Sequence, residues 1–312
     1  MISLCVITTI HIQIRGEIMQ KLAPLFILFA AILWGTTGTV QALAPDSAQP
    51  VAIGAVRLFI GGGFLLILVL LTKGLRFREI PFRPVLIAAI CMALFQPFFF
   101  NAVDITGVAI GTVVSIGSAP VLSGLIEFIF LKKKISKTWL ISTVFSLIGV
   151  SLLFTSQGSV QVEPIGILLA LCAGLSFACY TISNKYVVEK LPALTAVAVV
   201  FTLSGLMLSP LLLIFDISWV FTTDGLIVGL YMGIIATGLS YFMFAKGLAK
   251  VDSSTAVTLS LAEPLTATML GVFLLGETMS FLSWTGLILL LLGIGVLIFS
   301  SAQRSKLKKL PQ

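Results

Sequence analysis

Residues 254–276 read STAVTLSLAEPLTATMLGVFLLG, an apolar run long enough to cross a bilayer with Glu263-Pro264 set near its middle. Both residues are costly at that depth. A charged, unpaired Glu in hydrocarbon costs several kcal/mol. A Pro removes one helix donor and leaves the carbonyl of Ser260, four residues back, without its usual partner. A chain that keeps both here builds a polar site inside a membrane protein or loses stability for nothing, and the surrounding sequence decides between the two.

The chain is 58% hydrophobic and 10% charged, against about 25% charged in soluble domains. That excludes an ordinary soluble fold and predicts an all-α polytopic membrane protein. Apolar runs of about 20 residues, each enough for roughly 30 Å of hydrocarbon, fall at Leu22–Leu43, Val51–Thr72, Pro84–Val103, Thr106–Leu131, Thr138–Thr155, Pro164–Val187, Ala193–Ile214, Gly225–Leu248, Ser254–Gly276 and Phe281–Ser300. Ten transmembrane helices are expected.

The net charge of +7 invites a nucleic-acid reading, but its placement argues against one. With the N-terminus cytoplasmic, Arg15 and Lys21, the loops with Lys73, Arg76, Arg78 and Arg83, with Lys132, Lys133, Lys134 and Lys137, with Lys185 and Lys190, and with Lys246 and Lys250 all fall on one side. The tail adds Arg304, Lys306, Lys308 and Lys309 to that side. The opposite loops hold Asp46, Asp104, Glu163, Asp216, Asp224 and Glu277 without a Lys or Arg. Of the 19 basic residues only Arg57, inside the second run, breaks the pattern. The positive-inside rule therefore predicts a multi-pass protein of the cytoplasmic membrane with both termini cytoplasmic.

Cys5, Cys91, Cys172 and Cys179 are scattered and read as small apolar filler. Residues 1–21 form an N-terminal segment too short in its apolar part to cross, with its basic residue after rather than before the apolar stretch, the reverse of a signal peptide. Met19 is an alternative start. Residues 301–312 form a basic tail. Between them lie two units, 22–155 and 164–300, and the sequence relates them. Shifted by 144 positions, Pro120 meets Pro264, Gly149 meets Gly293, and Phe98 and Phe100 meet Phe242 and Phe244; nearer the start an offset of 143 sets Trp34-Gly35 against Phe177-Ala178. Five spans per unit is an odd number, so the second unit enters the membrane inverted. Inverted repeats of this kind place a substrate site near the midplane at the repeat interface, and paired interruptions such as Pro120 and Pro264 mark it. The plain alternative is that both prolines bend long helices for packing.

Enzyme chemistry does not assemble. His11 is the single histidine, which removes His-based metal sites and Ser-His arrangements, and no Gly-rich phosphate loop with its Lys is present. No cofactor is expected. Gly61-Gly62-Gly63, the Gly107/Gly111 pair and Gly225/Gly229/Gly233 read as places of close helix approach. Glu127, one turn before Lys132–Lys134, reads as a snorkelling residue in a surface pair.

Glu263 lies roughly 13 Å in from the cytoplasmic end of its run, and Arg57 roughly 9 Å in from the other side, at 1.5 Å per residue. They either bridge each other or bind charged substrate groups in turn; a static structural pair is the alternative. Phe95-Gln96-Pro97-Phe98-Phe99-Phe100-Asn101 in the third run and Ser240-Tyr241-Phe242-Met243-Phe244 in the eighth lie near opposite membrane faces. They read as two gates of an alternating-access cavity or as interfacial belts. Trp34, Thr36, Thr37, Gln41, Ser176, Tyr180 and Asn184 are polar or amphipathic groups at depth, expected to face protein or cavity. The candidate substrate-binding set is Glu263, Arg57, Trp34, Tyr180, Asn184, Gln96, Asn101 and Tyr241.

Trp34-Gly35, Arg57, Pro120, Glu263-Pro264, Leu275-Gly276-Glu277-Thr278 and Gly293 together resemble the EamA-type transporters of the drug/metabolite transporter superfamily, over Leu22 to Ser300. The resemblance implies ten helices in two inverted five-helix repeats, a central cavity lined chiefly by the first, third, fourth, sixth, eighth and ninth, and the fifth and tenth at the periphery. It also implies secondary transport, with export the expected direction, of a small metabolite, amino acid or drug. Protons are a candidate coupling ion and a homodimer a candidate assembly. An uncoupled facilitator and a non-transporting sensor or scaffold are the alternatives. One departure stands out: Lys132-Lys133-Lys134 occupy the place of Gly276-Glu277-Thr278 in the first repeat.

Overall fold

The computed structural model describes residues 2–41, 43–72, 77–154, 163–275 and 279–307 of the chain. Gly276-Glu277-Thr278, Lys73, Arg76, Lys308 and Lys309 lie outside the described residues. Among those described, nine helices are long and apolar enough to cross a membrane: α1 Ile18–Gln41, α2 Pro50–Thr72, α3 Phe82–Thr106, α4 Gly111–Ile129, α6 Pro164–Lys190, α7 Ala193–Ile214, α8 Thr223–Leu248, α9 Ser253–Leu274 and α10 Phe281–Ser300. Where the fifth span is expected lies a shorter apolar helix, α5 Lys137–Leu153, about 25 Å long at 1.5 Å per residue. The helical backbone of α1 reaches back to Ile2. Large apolar side chains such as Leu71, Ile141, Leu168 and Phe299 are exposed around the outside, as a lipid-facing surface requires.

The backbone from Phe82 to Ile129 is helical without interruption, but it is not one rod. A Cβ on Gly111 would stand 2.8 Å from the Cα of Val103, whereas residues eight apart on a straight helix are about 12 Å apart. The chain folds back between them, and only a residue without a side chain fits at Gly111.

Helices pair across the two halves of the chain. The α3–α4 hairpin packs on α6, α2 on α7, α5 on α10, and α1 on α8 and α9. Small residues set these contacts. A Cβ on Gly62 of α2 would lie 2.6 Å from the carbonyl oxygen of Phe201, and one on Gly205 of α7 would lie 3.0 Å from that of Leu58. At the α5–α10 contact a Cβ on Gly149 would lie 2.6 Å from the Gly286 oxygen, and one on Gly293 would lie 2.8 Å from the Ser142 oxygen. The reading of Gly61 and Gly62 as packing glycines holds, while Gly63 faces nothing within 4 Å.

That contrast gives a paired test. Gly62→Val forces a side chain into the backbone of α7 and is expected to destabilise by about 3 kcal/mol. Gly63→Val points into open space and is expected to change stability by no more than about 0.5 kcal/mol. Thermal unfolding in detergent checks both, and equal losses would show that close approach of α2 and α7 is not what holds them.

Two of the crossing helices depart from α-helical winding near the centre. In α8 the segment Tyr231–Leu239 is π-helical. In α9 the helix stops after Leu259 and restarts at Ala262.

Candidate functional site

The break in α9 follows from local hydrogen bonding. Pro264 has no N–H for the Ser260 carbonyl, and the amide of Glu263 takes its place at 2.9 Å. The Ser260 hydroxyl donates to the Val257 carbonyl at 2.7 Å, a local bond of the kind that competes with helical winding. Glu263 thereby falls in the first turn of the restarted helix, where the positive end of the helix dipole favours a carboxylate. Gly35 lets α1 reach this point, since a Cβ there would lie 2.7 Å from the Glu263 carbonyl oxygen.

Pro120 behaves differently. It was expected to break α4 as Pro264 breaks α9, yet the helix continues through it. The residue 144 positions before Ser260 is Ile116, which has no hydroxyl to stabilise a local break, and the stretch is pressed against α6, where a Cβ on Gly174 would lie 2.7 Å from the Ser115 carbonyl oxygen.

A cavity of about 700 Å³ opens beside the α9 break. Its exposed end is lined by Pro50 and Asp104 at the α1–α2 and α3–α4 connections, and its buried end by Trp34 and Tyr241. Phe95, Phe99, Phe100 and Phe177 make aromatic walls. Arg57 and Glu263 both face it. They form no ion pair with each other: among the described residues Arg57 makes one side-chain bond, from Nε to Thr237 Oγ1 at 3.0 Å, and the Glu263 carboxylate makes none.

Beneath the cavity the aromatic residues close ranks. The Trp34 ring lies tilted at 4.6 Å from Tyr241 and 5.3 Å from Phe244, and Tyr241 lies 4.4 Å from Phe201. Trp34 Nε1 donates to Ser240 Oγ at 2.8 Å. The two aromatic clusters expected as gates thus have different settings: the one in α3 lines the cavity walls, and the one in α8 packs against Trp34 at its buried end, with Tyr241 reaching the cavity.

Of the expected binding residues, Arg57, Glu263, Trp34, Gln96 and Tyr241 converge on the cavity. Tyr180 and Asn184 do not; they lie in the core one turn apart, where Asn184 Nδ2 donates to the Tyr180 hydroxyl at 3.3 Å. Asn101 is exposed and donates to the Pro97 carbonyl at 2.7 Å. The sequence reading overlooked Ser115, whose buried hydroxyl lines the cavity and has no partner among the described residues. The lining helices implied by the family resemblance did not include α2, which contributes Pro50 beside the expected Arg57.

Glu127 corrects a second reading. It is not a surface residue but 4% exposed. Its carboxylate accepts from Lys133 Nζ at 2.9 Å and from the amides of Ser253 and Ser254 at 3.2 and 3.3 Å. Those amides open α9, so a residue of α4 caps a helix of the other half. Lys133 also bonds Asp252 at 2.9 Å.

Residues 21–155 and 164–299 each match the model of the EamA-like transporter family. The chain belongs to that family. This EamA protein is 50% identical over 282 residues to the uncharacterized transporter YwfM of Bacillus subtilis (strain 168), a match covering 90% of this chain and 95% of that one. It is 22% identical over 291 residues to the uncharacterized inner membrane transporter YicL of Salmonella typhimurium (strain LT2), covering 90% and 96%. A solved crystal structure matches its fold with a TM-score of 0.78 at 18% identity, covering 90% of this chain and 98% of that one. The EamA protein is a multi-pass membrane transporter for a small molecule, and these relatives point to transport rather than catalysis.

Proposed function

We propose that this protein is a secondary transporter of zwitterionic solutes with an apolar or aromatic side chain. The observation that carries the reading is that Arg57 and Glu263 face one aromatic-walled cavity without pairing with each other. A zwitterion offers a carboxylate to the guanidinium and an ammonium to the carboxylate, and its side chain stacks on the phenylalanine walls.

The working architecture is ten spans in two inverted five-helix repeats that rock about the cavity. Reciprocity of contacts supports it. A two-fold relation carries the Gly62–Phe201 approach onto Gly205–Leu58 at an offset of 143, and Gly149–Gly286 onto Gly293–Ser142 at 144. With both termini cytoplasmic, the cavity mouth at Pro50 and Asp104 faces outward. The packed aromatic cluster and the Glu127–Lys133–Asp252 network close the inner side. Export is the working direction, as the family likeness suggests, and Glu263 is the group that exchanges a proton.

Counterflow in proteoliposomes tests this with L-phenylalanine against phenethylamine, which lacks the carboxylate, and 3-phenylpropionate, which lacks the amine. The zwitterion is expected to exchange, each analogue at least about tenfold more weakly, and Arg57→Ala is expected to remove the discrimination against the amine. Exchange unaffected by a pH gradient would indicate a facilitator. No exchange of any of the three would remove the zwitterion reading.

A further inference from the structure

We infer that Thr237, in the π-helical segment of α8, is a positioning residue that holds Arg57 away from Glu263 and so keeps the cavity's two charges available to a solute. This deepens the proposed function and rests on its assignment of Arg57 to a substrate carboxylate.

Opposite charges that face one cavity at membrane depth attract each other, and an arginine side chain is long enough to respond. Something must hold Arg57 back. Thr237 is fully buried, and its hydroxyl has one proton to give. That proton goes to the Met232 carbonyl at 2.7 Å, five residues back, a partner that the π winding brings within reach. The oxygen is therefore left as an acceptor, and Arg57 Nε donates to it at 3.0 Å. The direction of both bonds is fixed by this count. A guanidinium has five N–H donors, so fixing Nε leaves the other four to face the cavity.

The backbone around the pair is equally constrained. A Cβ on Gly61, one turn beyond Arg57, would lie 2.6 Å from the Gly233 carbonyl oxygen and 3.0 Å from Thr237 Cβ. Helix α2 is thus seated on the π-helical segment at the level of the bond. Three residues later Ser240 accepts from Trp34, so the same part of α8 steadies the aromatic floor. Departures of this kind from α-helical winding recur at functional sites, and here the consequence is specific: one hydroxyl is aimed at one arginine.

The test uses Thr237→Val, which keeps the shape and removes the acceptor, and Thr237→Ser, which keeps the hydroxyl. In Thr237→Val the KM for L-phenylalanine counterflow is expected to rise about tenfold with the maximal rate within about twofold. Phenylglyoxal labelling of Arg57, resolved by peptide mass spectrometry, is expected to fall at least about fivefold as the guanidinium moves onto Glu263. Thr237→Ser is expected to restore both. Labelling of Arg57 in Thr237→Val at the wild-type rate would overturn the inference, as would a Thr237→Ser variant impaired as badly as Thr237→Val. The underlying reading fails separately: Arg57→Ala with unchanged L-phenylalanine counterflow would remove the substrate assignment, while the labelling result would still decide the role of Thr237.

Discussion

Glu263→Gln is expected to abolish accumulation driven by a pH gradient and to weaken L-phenylalanine exchange about a hundredfold, the loss of one buried charge-assisted contact at about 2.7 kcal/mol. The substitution keeps the side chain's shape at the α9 restart and removes its charge. Arg57 is then left without an opposite charge at membrane depth, a situation that costs more than removing both members. Glu263→Gln combined with Arg57→Gln is therefore expected to be more thermostable in detergent than Glu263→Gln alone, while remaining inactive. Transport by Glu263→Gln that matches wild type at every pH would rule out the proton-carrying role.

The second large effect is expected at Glu127. Glu127→Ala removes the Lys133 ion pair and leaves the Ser253 and Ser254 amides of α9 uncapped, a loss of about 2–3 kcal/mol from the contact between α4 and α9. A cysteine at Thr255, which lines the crevice beside Glu127 and Lys133, then reports opening. In a background free of native cysteines its labelling by an impermeant maleimide in inside-out vesicles is expected to rise at least about thirtyfold, and Glu127→Gln should fall between. A lower melting temperature with unchanged labelling would make Glu127 a static cap only. The closure should not weaken near neutral pH on account of Lys133. Burial pulls its pKa down, but the hydrogen bonds to Asp252 and Glu127 outweigh that and hold it above the ordinary 10.5. A cation whose folded-state value is raised gives its full stabilisation below its unfolded value and loses it only as pH rises through the folded one. Labelling at Thr255 between about pH 6 and 9 is therefore expected to show no step from this group.

The membrane fold was legible because its signals are long and redundant. Apolar runs repeat along the chain, and offsets of 143 and 144 align the halves. Arg57 and Glu263 were legible for the opposite reason, as isolated charges where charge is costly. What stayed hidden depended on hydrogen-bond detail that pattern cannot carry. Pro120 and Pro264 look equivalent until Ser260 and Ile116 are compared. Glu127 beside three lysines resembles a surface group, and only the fold brings it to the start of α9. Tyr180 and Asn184 look like cavity polar groups but lie in the core, joined by one bond a turn apart, and Asn101 turns to its own helix at Pro97. Thr237 carried no signal, because π winding has no sequence period of its own.

The α5–α10 contact bears on whether either half of the chain can stand alone. Gly149 and Gly293 each present a bare backbone face, and neither face is filled within its own half: each is occupied by the fifth helix of the other. A single half made alone would carry that face uncovered into lipid, so each half serves as the other's cover against the bilayer.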